Sequence, residues 1–169
     1  MLLPSNNPVW LPKDYFTISA LVYFSDVASE TDYILDMNHG DSGTTSNELG
    51  YALRRNADGK ASFLITLETN SDEDLVSNTI LTSGIWYHLV AVRDGTSQRL
   101  YIGGALDSSR TCDFSSVDFV GNYDNDEISI GGFTRGGASS FNFWFDGMID
   151  EVRIYDRALT TEEIETITV

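Results

Sequence analysis

The 169-residue sequence contains one cysteine, Cys112, which excludes an internal disulfide and a cysteine-based zinc cluster. With no second thiol beside it, Cys112 reads as a small buried or loop residue rather than a nucleophile. Proline is confined to Pro4, Pro8 and Pro12. Residues 1–12 therefore form an extended arm, and the proline-free remainder from Lys13 onward is open to ladder pairing. No apolar stretch approaches the length that crosses a bilayer, which argues against membrane insertion. The opening Met1-Leu2-Leu3-Pro4 lacks the basic end and apolar core of a signal peptide, and a bare Met before a polar segment suggests a module taken from a longer secreted protein. Basic residues are also scarce: 10 face 26 acidic ones, a formal charge of −16, so the surface repels nucleic acid and anionic lipid.

What is present points to one all-β domain over residues 13–169. The chain is 41% hydrophobic, enough to bury a substantial core at a length that suits one domain. From residue 15 to 24, Phe16, Ile18, Ala20, Val22 and Phe24 alternate with Thr17 and Ser19, the pattern of a strand with one buried face. Residues 48–55 and 61–68 flank Asn56-Ala57-Asp58-Gly59-Lys60, where Asp-Gly supplies the positive φ of a tight reversal. Further strands are expected over 86–93, 99–102, 127–131 and 148–155, stacked as two antiparallel sheets. Thr160 and Glu163 have capping-box spacing, which predicts a short C-terminal helix. The acidic run Ser71-Asp72-Glu73-Asp74 reads as a solvated loop.

Three segments resemble one family and occur in its order. The first is Gly50-Tyr51-Ala52-Leu53-Arg54 through Asp58-Gly59-Lys60. The second is Gly84-Ile85-Trp86-Tyr87-His88-Leu89-Val90-Ala91-Val92 with Arg99-Leu100-Tyr101-Ile102-Gly103-Gly104. The third is Ile128-Ser129-Ile130-Gly131-Gly132, then Phe145-Asp146-Gly147-Met148-Ile149-Asp150-Glu151-Val152-Arg153-Ile154-Tyr155, then Leu159-Thr160 to Glu163-Ile164. Together they are similar to the laminin-G-like group of the concanavalin-A-like lectin/glucanase superfamily. Gly103 stands where that family usually has Asp, and the region before Lys13 matches no first strand. The resemblance implies a jelly-roll sandwich of two curved antiparallel sheets, often with a calcium ion, attached to carbohydrate-active or adhesive proteins; it does not imply one ligand.

Strict alternation along the last strand puts Asp150 on one side with Met148, Val152 and Ile154, so its carboxylate faces an apolar layer and needs a partner. Calcium takes carboxylate and carbonyl oxygens and would serve. In the related laminarinase-type β-glucanases the matching Asp helps hold a structural calcium with a residue near the N-terminus, so the resemblance implies Asp150 as a ligand, and Asp14 is the candidate for the N-terminal one. The alternatives are that Asp150 accepts backbone N–H groups at a sheet rim without a metal and that Asp14 is a turn residue. Trp86 and His88 share a side with Val90 and Val92 and read as core.

A carbohydrate site needs aromatic faces to cover the apolar side of a sugar ring and planar polar groups for its hydroxyls. Two loops offer this mix: 36–47, with Asn38 and His39, and 133–144, with Arg135, Asn142, Phe143 and Trp144. Phe141-Asn142-Phe143-Trp144-Phe145 holds too many large rings for one strand face, so some are exposed or packed on a neighbouring loop. Trp144 covering the end of the core is the plainer alternative. Arg54 and Arg55 face opposite sides of their strand, which leaves one of them for a ligand. Arg54, Arg93 or Arg135 is the candidate for gripping a carboxylate or sulfate on an acidic polysaccharide, against ordinary ion pairing.

No expected strand carries two carboxylates at alternate positions, as retaining glycosidases on this scaffold require, and no convergent lyase set of base, Arg and Gln is evident. The resulting expectation is a non-catalytic module that binds a polysaccharide or glycan beside other domains of a parent protein. The alternatives are a protein-adhesion or spacer module and, third, a lyase or glycosidase.

Overall fold

The computed structural model describes residues 2–4, 14–39, 49–66, 72–112, 127–134 and 141–168. In chain order the strands are β1 (Leu2–Pro4), β2 (Tyr15–Phe24), β3 (Asp32–His39), β4 (Leu49–Arg55), β5 (Lys60–Thr66), β6 (Asp72–Ile80) and β7 (Trp86–Asp94). β8 (Ser97–Ile102), β9 (Ala105–Thr111), β10 (Glu127–Ile130), β11 (Phe133–Thr134), β12 (Phe141–Asn142) and β13 (Gly147–Tyr155) follow, and α1 (Thr161–Ile167) ends the fold. One sheet has six strands in the order β1-β10-β3-β4-β5-β6, the other five in the order β13-β2-β7-β8-β9, and β11-β12 form a separate hairpin. Every pairing is antiparallel, giving the expected all-β sandwich.

The alternation of β2 does the work the sequence assigns to it. Phe16, Ile18, Ala20, Val22 and Phe24 are fully buried between the sheets against Leu35, Met37, Tyr51, Leu53, Phe63 and Ile65. The β4–β5 reversal closes with Asn56 N–H donating to Lys60 O at 2.8 Å and Gly59 N–H to Asn56 O at 2.8 Å, with Gly59 at φ 83°. Gly147 is needed for a different reason: a Cβ there would lie 1.9 Å from the Tyr23 carbonyl oxygen, so no side chain fits where β13 meets β2.

The sandwich departs from the sequence reading in several places. Leu2–Pro4 pairs with β10, so the N-terminal segment contributes a strand rather than only an extended arm ahead of Lys13. The acidic run is not a loop: Asp72, Glu73 and Asp74 lie in β6, paired with Thr66, Ile65 and Leu64. β3 and β9 are strands without a marked apolar alternation. β7 is buried on both faces over most of its length, with Leu89 and Ala91 in the inter-sheet core and Val90 and Val92 in a second cluster with Tyr101, Leu159 and Ile164. His88 belongs to that outer side and is 3% exposed, as a buried residue should be, whereas Trp86, at the strand's uncovered end, is 44% exposed and not core.

α1 covers part of the outer face of the five-stranded sheet. Its capping box is formed, with Thr160 Oγ1 accepting from Glu163 N–H and Glu163 Oε2 accepting from Thr160 N–H. Arg157 grips both oxygens of Glu163 at 2.7 and 2.8 Å, and together these contacts hold that carboxyl down to about 2. Thr17 Oγ1 donates to Arg157 O and accepts from Leu159 N–H, tying the lead-in segment to β2. Thr168 donates its hydroxyl proton to Ile164 O, so it accepts from His88 Nδ1–H; His88 Nε2 then accepts from Ser19.

Candidate functional site

α1 covers one end of the five-stranded sheet's outer face, and the outer face of the six-stranded sheet presents the larger polar surface among the described residues. Tyr33, Arg54 and Ser62 sit opposite one another on β3, β4 and β5, on the side away from the inter-sheet core. Arg54 is fixed by three bonds: Nε to Ser62 Oγ at 3.1 Å, Nη1 to the Tyr33 hydroxyl at 3.2 Å, and Nη2 to Asp74 Oδ2 at 3.0 Å. Ser62 in turn donates to Asp74. Burial alone would make the guanidinium easier to deprotonate, but Asp74 and Tyr33 outweigh it and hold the cation more firmly. A guanidinium has five N–H donors, so two of them remain for a ligand oxygen.

The β11–β12 hairpin supplies the aromatic wall. Phe133 packs on Tyr33 with ring centroids 5.0 Å apart, above Ala52 and Leu64. Phe143 lies 6.1 Å from Tyr33 and 6.2 Å from Phe133 and is 46% exposed. Its φ of 57° is in the left-handed region that a bulky residue rarely occupies, so the surrounding structure holds this ring in place. Trp144 follows at 66% exposure, which decides against it as a core plug, whereas Phe145 turns inward onto Phe24 at 5.1 Å.

The sequence candidates therefore separate. Arg54 and Phe143 meet through Tyr33, and Trp144 follows Phe143 in the chain. Asn142 pairs with Phe133 across the hairpin; Asn38 and His39 end β3 opposite Gly50 and Leu49; the side chains of these three lie outside the described residues. Arg135 also lies outside them. Arg55 is fully buried, bonded through Nε to Asp32 at 2.6 Å and through Nη2 to Asp26 at 2.9 Å, with its guanidinium 4.0 Å from the Phe24 ring centroid. Desolvation raises the Asp32 carboxyl against the pull of Arg55, the mark of a structural ion cluster.

Asp150 and Asp14, the two residues expected to share a calcium ion, are not brought together by the fold. A bulge at Glu151, φ 49°, shifts the β13 register between Asp150 and Arg153. Ile149, Val152 and Ile154 therefore face the core, while Asp150 turns outward with Met148. Strict alternation fails here because one extra residue reverses it. Asp150 Oδ1 accepts from Glu151 N–H at 2.8 Å, the metal-free alternative. Asp150 pairs with Leu21, seven residues along β2 from Asp14, or about 23 Å, so one ion cannot bridge them. Among the described residues no group of three or more His, Cys, Asp or Glu is placed to hold a metal.

Sequence reasoning missed Tyr33, Ser62, Asp74 and Phe133. It also passed over a carboxylate pattern, since β6 carries Asp72 and Asp74 at alternate positions. Asp74 is engaged by Arg54 and Ser62, which gives it a structural partner set, and the side chain of Asp72 lies outside the described residues.

A laminin-G family model, described as concanavalin A-like lectin/glucanases superfamily, matches residues 2–165. No curated protein matches the chain. Among solved structures, the carbohydrate-binding module CBM40 of the Ruminococcus gnavus IT-sialidase, bound to α2,3 sialyllactose, superposes with a TM-score of 0.76 at 15% identity, covering 92% of this chain and 82% of that one. The SAP-like pentraxin of Limulus polyphemus gives 0.61 at 17% identity, with 93% and 71% covered. The leech intramolecular trans-sialidase gives 0.68 at 16% identity, with 92% of this chain and 23% of the enzyme covered. At such identities the likeness is one of fold.

Proposed function

This chain belongs to the laminin-G family of the concanavalin A-like lectin/glucanase superfamily, and on that premise we propose that it is a non-catalytic carbohydrate-binding module of a larger secreted protein. The observation that carries the reading is exposed Phe143, set against Tyr33, which Arg54 bonds in turn, with exposed Trp144 next along the chain. The rings would cover the apolar face of a sugar, and the two spare Arg54 N–H groups would donate to its oxygens. Arg54 is already matched to Asp74 in a protein of formal charge −16, so uncharged hydroxyls suit the site better than a carboxylate. The CBM40 neighbour was solved with sialyllactose, which makes that ligand the informative contrast.

The experiment is a binding screen of neutral polysaccharides alongside sialylated and uronate-rich ones. Binding of a neutral glycan that Trp144→Ala weakens about tenfold or more supports the reading. A protein partner whose binding ignores free sugar, with no glycan bound, would replace it with adhesion. A glycosidase is the second reading, because Asp72 and Asp74 alternate on β6. It requires new reducing ends that disappear in Asp74→Asn, and their absence across the panel removes it.

A further inference from the structure

Among the described residues, the outer face of the five-stranded sheet is only half covered. α1 and its lead-in lie over Val90, Val92 and Tyr101, toward one end of the strands. At the other end Tyr23 pairs with Met148 on one side and Trp86 on the other, so the three side chains form one row across β13, β2 and β7. They point away from the core, since Val22 and Phe24 on either side of Tyr23 are fully buried between the sheets. Met148 is 50% and Trp86 44% exposed, and the Tyr23 and Trp86 rings stand 5.6 Å apart, tilted by 51°. Asp150 rises from the next outward position of β13; its Oδ2 meets no donor among the described residues.

We propose that this row is a second glycan-binding surface, taking a short stretch of neutral polysaccharide along Met148, Tyr23 and Trp86, with Asp150 accepting from its hydroxyls. It shares the ligand class of the preceding reading but none of its residues. Three neighbouring strands span about 10 Å, the length of roughly two sugar rings laid flat. The rings offer apolar faces for the C–H side of the sugar, and the exposed Asp150 carboxylate, held by only one protein bond among the described residues, can exchange water for a sugar hydroxyl. A protein partner fits less well. Three side chains present far less than the ~800 Å² per partner of a stable interface. A second copy would also bring Asp150 and Glu151 against their own like charges. Two surfaces on the two outer faces would let one module bridge polysaccharide chains and gain from avidity where both engage.

The test uses the Trp10→Phe/Trp144→Phe protein, in which Trp86 is the only tryptophan and position 144 keeps an aromatic ring. Neutral glucan, mannan, xylan and galactan oligosaccharides are titrated while Trp86 emission is followed. A saturable shift, lost in the same background with Asp150→Asn, supports the proposal. In the otherwise intact protein, Trp86→Ala should then weaken polysaccharide binding about tenfold or more with unchanged melting. Should Trp86→Ala lower the melting temperature, Met148→Ser replaces it as the binding readout. A glycan that the intact protein binds but that leaves Trp86 emission untouched overturns this surface and leaves the Phe143–Trp144 site standing. A concentration-dependent dimer lost in Trp86→Ala overturns it in favour of self-association, and no binding by any variant overturns both readings.

Discussion

The two outer faces of the sandwich have been finished differently. On the five-stranded sheet, Val90, Val92 and Tyr101 are sealed under Leu159 and Ile164, and the seal is fastened by a capping box, the Thr17 bonds and the His88–Thr168 contact. On the six-stranded sheet nothing comparable is packed down among the described residues; its outward positions carry the Arg54–Ser62–Asp74 network with an aromatic hairpin along one margin. An apolar stripe that a helix covers lowers the free energy of folding. A polar network beside exposed rings contributes less to folding than a covered apolar stripe and leaves directed donors at the surface. Substitutions beneath α1 should therefore cost stability, and those in the Arg54 network and the aromatic hairpin should cost ligand binding.

That contrast can be broken most forcefully at Ile164. Ile164→Ala removes a fully buried side chain and should cost about 3 kcal/mol in urea unfolding while glycan affinity is retained. Equal losses in both would show that the faces are not separable. Arg54→Ala should destabilise by about 1.5 kcal/mol, since Ser62 and Asp74 lose a charged partner, and should also weaken binding, which isothermal titration reads directly. Thr160→Ala should cost about 1 kcal/mol through loss of the helix cap, with no change in affinity.

Acidification sharpens the comparison without a mutation. Burial, with a smaller push from Arg153, holds His88 below its ordinary value of 6.5. The unfolded chain therefore takes up the proton first. Its contribution is present in full above about pH 6.5 and is lost as pH falls toward the lower folded value. Melting temperature followed from pH 7 downward should drop in this window, and His88→Gln should flatten the drop. The smallest effect is expected at Asp150, where an exposed carboxylate with one local bond makes Asp150→Asn worth no more than about 0.5 kcal/mol, with or without calcium. A large calcium-dependent loss would restore the metal reading.

The parts of the fold legible in the sequence were those where local chemistry and tertiary structure agree. β2 alternates cleanly, Asp58-Gly59 supplies the turn, and Thr160 with Glu163 spells the cap. β6 was hidden because its inward positions include Glu73, which pairs with Arg110, and Ser77, which accepts from Ala61 N–H, so burial there is polar and leaves no apolar period. The Glu151 bulge was hidden because an added residue has no composition of its own, and it inverted the side assigned to Asp150. Trp86 misled because alternation gives its face but not how far the covering helix reaches.

The site was legible by surplus alone. Five residues from 141 to 145 hold too many rings for one strand face, which pointed to exposed Phe143 and Trp144. Tyr33, Ser62 and Asp74 come from three other strands, and only the register of β3 through β6 brings them to Arg54.

The most direct test of the central claim is isothermal titration of the best neutral polysaccharide from the screen into the wild-type protein and Trp144→Ala, with melting curves of both. The account predicts saturable binding by the wild type, at least about tenfold weaker in Trp144→Ala, with the two melting temperatures indistinguishable. Unchanged affinity in Trp144→Ala, or a wild type that binds no glycan, would contradict it.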